Sequence, residues 1–235
     1  VRRWQAVTSV LAGASAAVRR GDLRTPARRL LSELDIDLTT DTDRLSVPGE
    51  RGTLLVANHV SWLDIVAALA VEPVGFLAKR EMRQWPVLGG VAVRAGTTFI
   101  ARDELRGLPF VVSDLTSLLL SGRSVLVFPE GTTWCGRCRS ADGVPGGAFR
   151  RAAFQAAIDA SALIRPVTFE YRQGGEPSTV ASFVGADTLF TSMRRVARAD
   201  GLEVRVTAHP AFAPDGDRRE LAARARAGVH QVAHV

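Results

Sequence analysis

The sequence predicts an α/β fold, a mixed, mostly parallel sheet flanked by helices, with a pair of helices ahead of it. Three observations lead there. From Thr53 onward, short runs rich in β-branched and aromatic residues alternate with longer Ala/Leu/Val segments of helical spacing. That alternation is the signature of strands joined by helices that pack back on the sheet. The third observation is balance: 235 residues, 46% hydrophobic and 23% charged, suffice for one sizeable core and leave disorder to the ends and one loop.

Residues 1–35 read as two helices separated near Gly21–Pro26, where Gly and Pro interrupt the pattern. Val7–Val18 carries no charge and is bracketed by Arg2 and Arg3 on one side and Arg19 and Arg20 on the other. It is too short to span a bilayer, which takes roughly 18 or more apolar residues, and it has no clear cleavage site. Two readings stay open: an interfacial helix with Trp4 and the arginines at headgroup level, or a helix that covers the domain's own core. The chain begins at Val1 rather than Met, as a fragment or a chain with another natural start would.

Ile36–Gly52 is polar and turn-rich, ends in Val47-Pro48-Gly49, and reads as a linker between the helices of 1–35 and a main domain of 53–235. In that domain Thr53–Val56, Gly75–Ala78, Thr97–Ala101, Ser124–Phe128, Leu163–Tyr171 and Leu202–Ala208 read as strands. Trp62–Val71, Leu105–Leu120, Phe149–Ala160, Leu189–Ala199 and Arg218–Val232 read as helices. The longest irregular stretch, Gly131–Gly147, is of a length that compact domains keep for function or mobility.

The formal charge is +6, so the surface favours anionic partners; nucleic acid, anionic lipid and phosphorylated substrates all fit. Nearly all of that charge is arginine, and Lys79 is the only lysine. Aromatic content is only 6%, with no helix-turn-helix, RNP-type or zinc-finger signature, which argues against a basic nucleic-acid-binding module without removing it.

Chemistry concentrates at strand ends. In Asn58-His59-Val60-Ser61-Trp62-Leu63-Asp64, His59 falls where the chain leaves an apolar strand, the usual ligand crevice of α/β folds. An imidazole takes a proton from an alcohol near neutral pH, and better when a carboxylate holds its other nitrogen. Asp64 lies near the first turn of the next helix, within reach. Taken alone, the pair also reads as a surface His and an Asp favoured by the helix dipole. Phe128-Pro129-Glu130-Gly131-Thr132-Thr133 again delivers a carboxylate and a glycine to a strand end; its plainer reading is a turn. Gly96–Asp103 ends a strand in Arg102, suited to bidentate phosphate binding. There is no GxSxG elbow, so a serine acyl-enzyme is not expected.

In order, NHxxxxD, a Phe-Ile-x-Arg strand, FPEGT and Ile164-Arg165-Pro166-Val167 resemble the four motif blocks of the glycerolipid acyltransferases, and more narrowly the PlsC-like 1-acylglycerol-3-phosphate group. The resemblance covers roughly residues 53 to 170. It implies His59 as general base and Asp64 as its partner in direct attack of a lipid hydroxyl on a thioester. Lys79 and Arg102 would hold an acceptor phosphate, Glu130, Gly131 and Thr132 would shape the acceptor site, and Pro166 and Val167 would line it. It further implies acyl-CoA or acyl carrier protein as co-substrate, no metal or other cofactor, and N-terminal helices resting on the membrane. The location implied is the cell membrane, peripheral or monotopic on the cytoplasmic face. The acceptor implied is 1-acylglycerol-3-phosphate, giving phosphatidic acid.

One departure opens an alternative. Family members that bind phosphate usually continue FPEGTR, and this chain has Thr133 at that position. That leaves room for another acceptor, such as a lyso-ornithine lipid or a lyso-glycolipid, with Arg137 or Arg139 supplying the missing charge. Cys135 and Cys138 make no disulfide framework for a chain this size; zinc would need further ligands, and a redox dithiol would need a thioredoxin-like context. They read as ordinary loop cysteines.

Overall fold

The computed structural model describes residues 22–79, 98–100, 108–140 and 143–231. The charge-free segment Val7–Val18 and Arg102 lie outside the described residues, as does the side chain of Lys79.

The described strands are β1 (Ile36–Thr40), β2 (Leu54–Ala57), β3 (Gly75–Lys79), β4 (Thr98–Ile100), β5 (Val125–Val127), β6 (Ile164–Gln173), β7 (Glu176–Pro177) and β8 (Leu202–Ala208). The helices are α1 (Arg24–Glu33), α2 (Leu63–Val71), α3 (Leu108–Leu120), α4 (Ala152–Ala160), α5 (Leu189–Val196) and α6 (Arg218–Val229). The strands form one sheet in the order β1-β8-β6-β2-β5-β3-β4, with β7 on the outer half of β6. Neighbours run parallel except β6–β8 and β6–β7.

All four residues of β2 are fully buried, because helices cover both faces of the sheet there. Leu55 and Ala57 face a core shared with α1 and α2, while Leu54 and Val56 face one shared with α3, α4 and α6. Burying each leucine contributes on the order of 2 kcal/mol. α2 is apolar almost all round, and only Ile65 escapes full burial, as a helix packed on several sides requires.

The expected linker over Ile36–Gly52 is in part a strand: β1 pairs with β8 from Ile36↔Leu202 to Thr40↔Val206. The same sheet therefore begins ahead of residue 53. The pattern concealed this because only Ile36 is buried, and an edge strand carrying Asp37, Thr39 and Thr40 looks like a loop. Of the helix pair expected over 1–35, the described part, α1, buries Ala27, Leu30 and Leu31 in the domain's own core. Its Arg28 Nε donates to Ala70 O at 2.8 Å and Arg24 to Val71 O, so two cations satisfy the free carbonyls at the C-terminus of α2.

Register places the chemistry. β2 pairs Val56↔Val127 with β5 and Ala57↔Val167 with β6, so His59, Glu130 and Thr168 leave the same edge of the sheet. That edge is the carboxyl end of the parallel strands.

Candidate active site

His59 and Asp64 meet. Imidazole Nδ1 lies 2.8 Å from Asp64 Oδ2, the carboxylate being fully buried and the ring 18% exposed. The turn between β2 and α2 makes this contact possible: the same Oδ2 accepts the backbone N–H groups of Val60 at 2.8 Å and Ser61 at 2.9 Å. Asp64 Oδ1 accepts the hydroxyl of Tyr171 at 2.6 Å. Burial first, then the Asp64 charge and hydrogen bond, push the Tyr171 phenol well above its ordinary range, so it stays protonated and donates. An oxygen surrounded by donors serves as acceptor, which leaves Nδ1 carrying its proton and Nε2 carrying a lone pair.

The ring is held on one face and the backbone of His59 at both its N–H and its carbonyl. It stacks on Phe128 with centroids 4.1 Å apart and planes at 18°. Its backbone N–H donates to Glu130 Oε2 at 2.8 Å, and its carbonyl accepts the N–H of Trp134 at 2.8 Å. Asn58, one residue earlier, exchanges two hydrogen bonds with the backbone of Phe169 at 2.8 and 2.9 Å and so fixes β2 to β6 above their last pair. The third block thus acts on His59 as a splint.

Glu130 is 7% exposed, and its other oxygen accepts the N–H of Gly147 at 3.1 Å. Burial pushes its carboxyl up to about 7, helped by the Asp64 charge and opposed by the two backbone N–H groups and Arg226. Its oxygens are committed to the protein rather than displayed to a headgroup, although the residue lines the cavity. Gly146, with φ of +70°, lets it fit: a Cβ there would lie 2.1 Å from Glu130 Oε1.

A cavity of about 210 Å³ opens on this arrangement, with His59, Glu130, Trp134, Arg137, Tyr171 and His230 among its walls. Gly131 and Thr132 are not on its wall; Gly131 has φ of +76° and sits beneath the Arg150 side chain, 2.6 Å from Nε to the place of a Cβ. Pro166 and Val167, expected to line the site, lie below it in β6, and Thr168 to Arg172 reach it instead. The backbone of Lys79 ends β3 opposite Ile100. Thr133 turns its hydroxyl to Phe183 O.

Residue reasoning missed Tyr171, Trp134 and His230. Tyr171 is the chain's only tyrosine, and its alternation with Val167 and Phe169 on β6 marks it only as core. His230 caps the C-terminus of α6, and burial pushes its imidazole down to about 4. Cys135 and Cys138, read as ordinary loop cysteines, are joined in a disulfide with Cα atoms 5.6 Å apart. Connectivity of this kind follows from the loop's path and not from composition.

Residues 39–170 match the family model described as Acyltransferase. The chain is 36% identical over 177 residues to a lyso-ornithine lipid O-acyltransferase of Pseudomonas aeruginosa, covering 75% of this chain and 66% of that protein. It is 36% identical over 179 residues to a 1-acyl-sn-glycerol-3-phosphate acyltransferase of Neisseria meningitidis, covering 76% and 67%. The chain therefore spans about two thirds of the length of these relatives. Its fold is that of the crystal structure of the 1-acyl-sn-glycerophosphate acyltransferase PlsC from Thermotoga maritima, with a TM-score of 0.57 and 18% identity over 100% of this chain and 99% of that one. A buried carboxylate behind an imidazole at the sheet's carboxyl edge, within a matched span of more than half the chain, makes this protein a member of the Acyltransferase family.

Proposed function

We propose that the protein moves a fatty acyl group from an acyl thioester, acyl-CoA or acyl carrier protein, to the free hydroxyl of a lysophospholipid, with 1-acylglycerol-3-phosphate as acceptor. The observation that carries this is the 2.8 Å contact between His59 Nδ1 and the fully buried Asp64. With Nδ1 protonated, Nε2 takes the hydroxyl proton as the oxygen attacks the thioester carbonyl. Collapse of the tetrahedral species forms the ester bond, breaks the carbon–sulfur bond and returns the proton from imidazolium to the departing thiolate. No cofactor enters this balance. General-base assistance of this kind is typically worth about 100- to 10,000-fold. His59→Ala is therefore expected to cut acyl transfer at least that far while the circular dichroism spectrum stays that of the folded protein. Turnover close to that of the unaltered enzyme in a folded His59→Ala protein would end this reading.

A second acceptor class, lyso-ornithine lipid, is favoured by one observation: Thr133 stands at the arginine's position and spends its hydroxyl on Phe183 O. The Pseudomonas relative carries that acceptor in its name.

The site of action we infer is a membrane surface on its cytoplasmic side, held peripherally. Among the described residues no helix is long and apolar enough to cross a membrane. Support comes from the outward face of α5, where Phe190, 59% exposed, is followed at helical spacing by the exposed Arg194 and by Arg198 just beyond the helix. The helix carrying this face packs beside the site through its opposite, buried side, where Trp62 Nε1 donates to the fully buried Ser192 Oγ at 3.2 Å, and the loop before it is tied there by Phe183 N–H to Val60 O at 3.0 Å. The protein is expected to sediment with vesicles containing anionic phospholipid and to be released by salt, and Arg194→Glu with Arg198→Glu should weaken that binding. Vesicle binding unaffected by either treatment would count against this placement.

A further inference from the structure

We propose that Arg137 receives the anionic group of the acceptor's headgroup, a phosphate or a carboxylate, in place of the arginine that the third block lacks; this rests on the acyl-transfer reading above. Three arginines lie close enough in sequence to take over from Thr133, and the structure separates them. Arg139 donates to Gly143 O at 2.7 Å and serves its own loop. Arg150 lies across Gly131 and is not on the cavity wall. Arg137 is exposed, lines the same cavity as His59, and makes no hydrogen bond or ion pair among the described residues. A guanidinium offers a planar fork of donors matched to the oxygens of phosphate or carboxylate.

The base from which Arg137 projects is fixed to the catalytic histidine. The Cys135–Cys138 disulfide closes a ring of four residues around it. The ring is anchored at both ends: Trp134 N–H donates to His59 O at 2.8 Å, Ser182 Oγ to Cys135 O at 2.9 Å, and Gly146 N–H to Cys138 O at 3.1 Å. Gly136 packs toward Val60, a Cβ there lying 3.6 Å from Val60 Cγ1. Backbone order is thus in place before the ligand arrives, which lowers the entropic cost of using a long side chain. Arg172 lines the same cavity but gives Nε and Nη2 to Gly175 O at 3.1 and 2.5 Å. Glu170 and Glu130 also line the cavity, so an anion reaching Arg137 does so against two carboxyl groups, a cost that an ammonium on the same headgroup would reduce.

The test uses the purified full chain with acyl-CoA as donor and two acceptors in uncharged detergent micelles, lysophosphatidate and lyso-ornithine lipid. Arg137→Ala is expected to raise the acceptor KM about tenfold or more, as for a lost charge-assisted contact, with kcat within about threefold and the KM for acyl-CoA unchanged. Arg137→Lys should recover part of the loss, and the acceptor with the larger shift identifies phosphate or carboxylate as the group bound. An unchanged KM for both acceptors, or a rise confined to acyl-CoA, overturns the assignment. If the unaltered chain acylates neither acceptor from acyl-CoA or from acyl carrier protein, the acyl-transfer reading fails first and the two failures remain distinguishable.

Discussion

Asp64 is held by donors from three directions: the ring of His59, the turn that follows it, and Tyr171 from a strand 107 positions away. Tyr171→Phe keeps the ring in its buried place and removes one donor, leaving Asp64 Oδ1 without it in a site that water does not reach. A lost hydrogen bond to a buried charge costs about 1.5–3 kcal/mol. The variant should unfold at correspondingly lower urea, and kcat should fall on the order of tenfold as the imidazole loses a firm backstop, with acceptor KM little changed. Unchanged kcat and urea midpoint would show that Asp64 does not need this partner. At this scale the spacing of His59 and Asp64 was legible because the motif's chemistry is local. Glu130 was legible as a site residue but not in its role, since a sequence does not say which backbone N–H groups a carboxylate will find. Tyr171 was hidden because an aromatic at period two on a strand reads as core whether or not its hydroxyl has work to do.

Strands buried on both faces announce themselves as unbroken apolar runs, and β2 and β5 were readable for that reason. β1 was not, because its partner β8 supplies the pairing while Asp37, Thr39 and Thr40 face solvent and only Ile36 is buried. Helix ends moved by a few residues, as at Arg218–Val229, where the sequence suggested continuation to Val232. The irregular stretch Gly131–Gly147 was rightly singled out by its length. Its course was not readable, because its order comes from a disulfide, an isolated bridge between Arg139 and Pro145, and Glu130 holding Gly147. None of these contacts leaves a trace in hydrophobic periodicity.

For the molecule as a whole, two buried groups near one another pull its pH response in opposite directions. Glu130 has a folded value of about 7 against an ordinary 4.5, so the native state holds the extra proton in between, and this group's contribution to stability falls as pH rises across that interval. His230 has a folded value of about 4 against an ordinary 6.5, so the unfolded chain holds the extra proton, and its contribution is lost as pH falls from 6.5 to 4. Where the intervals overlap, between 4.5 and 6.5, the slopes oppose each other. The unaltered protein should therefore show a flatter curve of urea midpoint against pH there than either single variant. Glu130→Gln should be left gaining stability as pH climbs, and His230→Gln losing it. Parallel curves for all three proteins would mean that neither burial is felt in folding.

The bridge between Cys135 and Cys138 also bears on how the protein is handled. Bonds of this type are uncommon on the cytoplasmic side of a membrane, where small thiols are abundant. Reduced and oxidised chains differ by two hydrogens, yet they offer an incoming lipid two different rims, one closed by a covalent bond and one held by hydrogen bonds alone. Batches made with and without a reductant are accordingly distinct reagents, and a titration of free thiols belongs beside every rate measured on them.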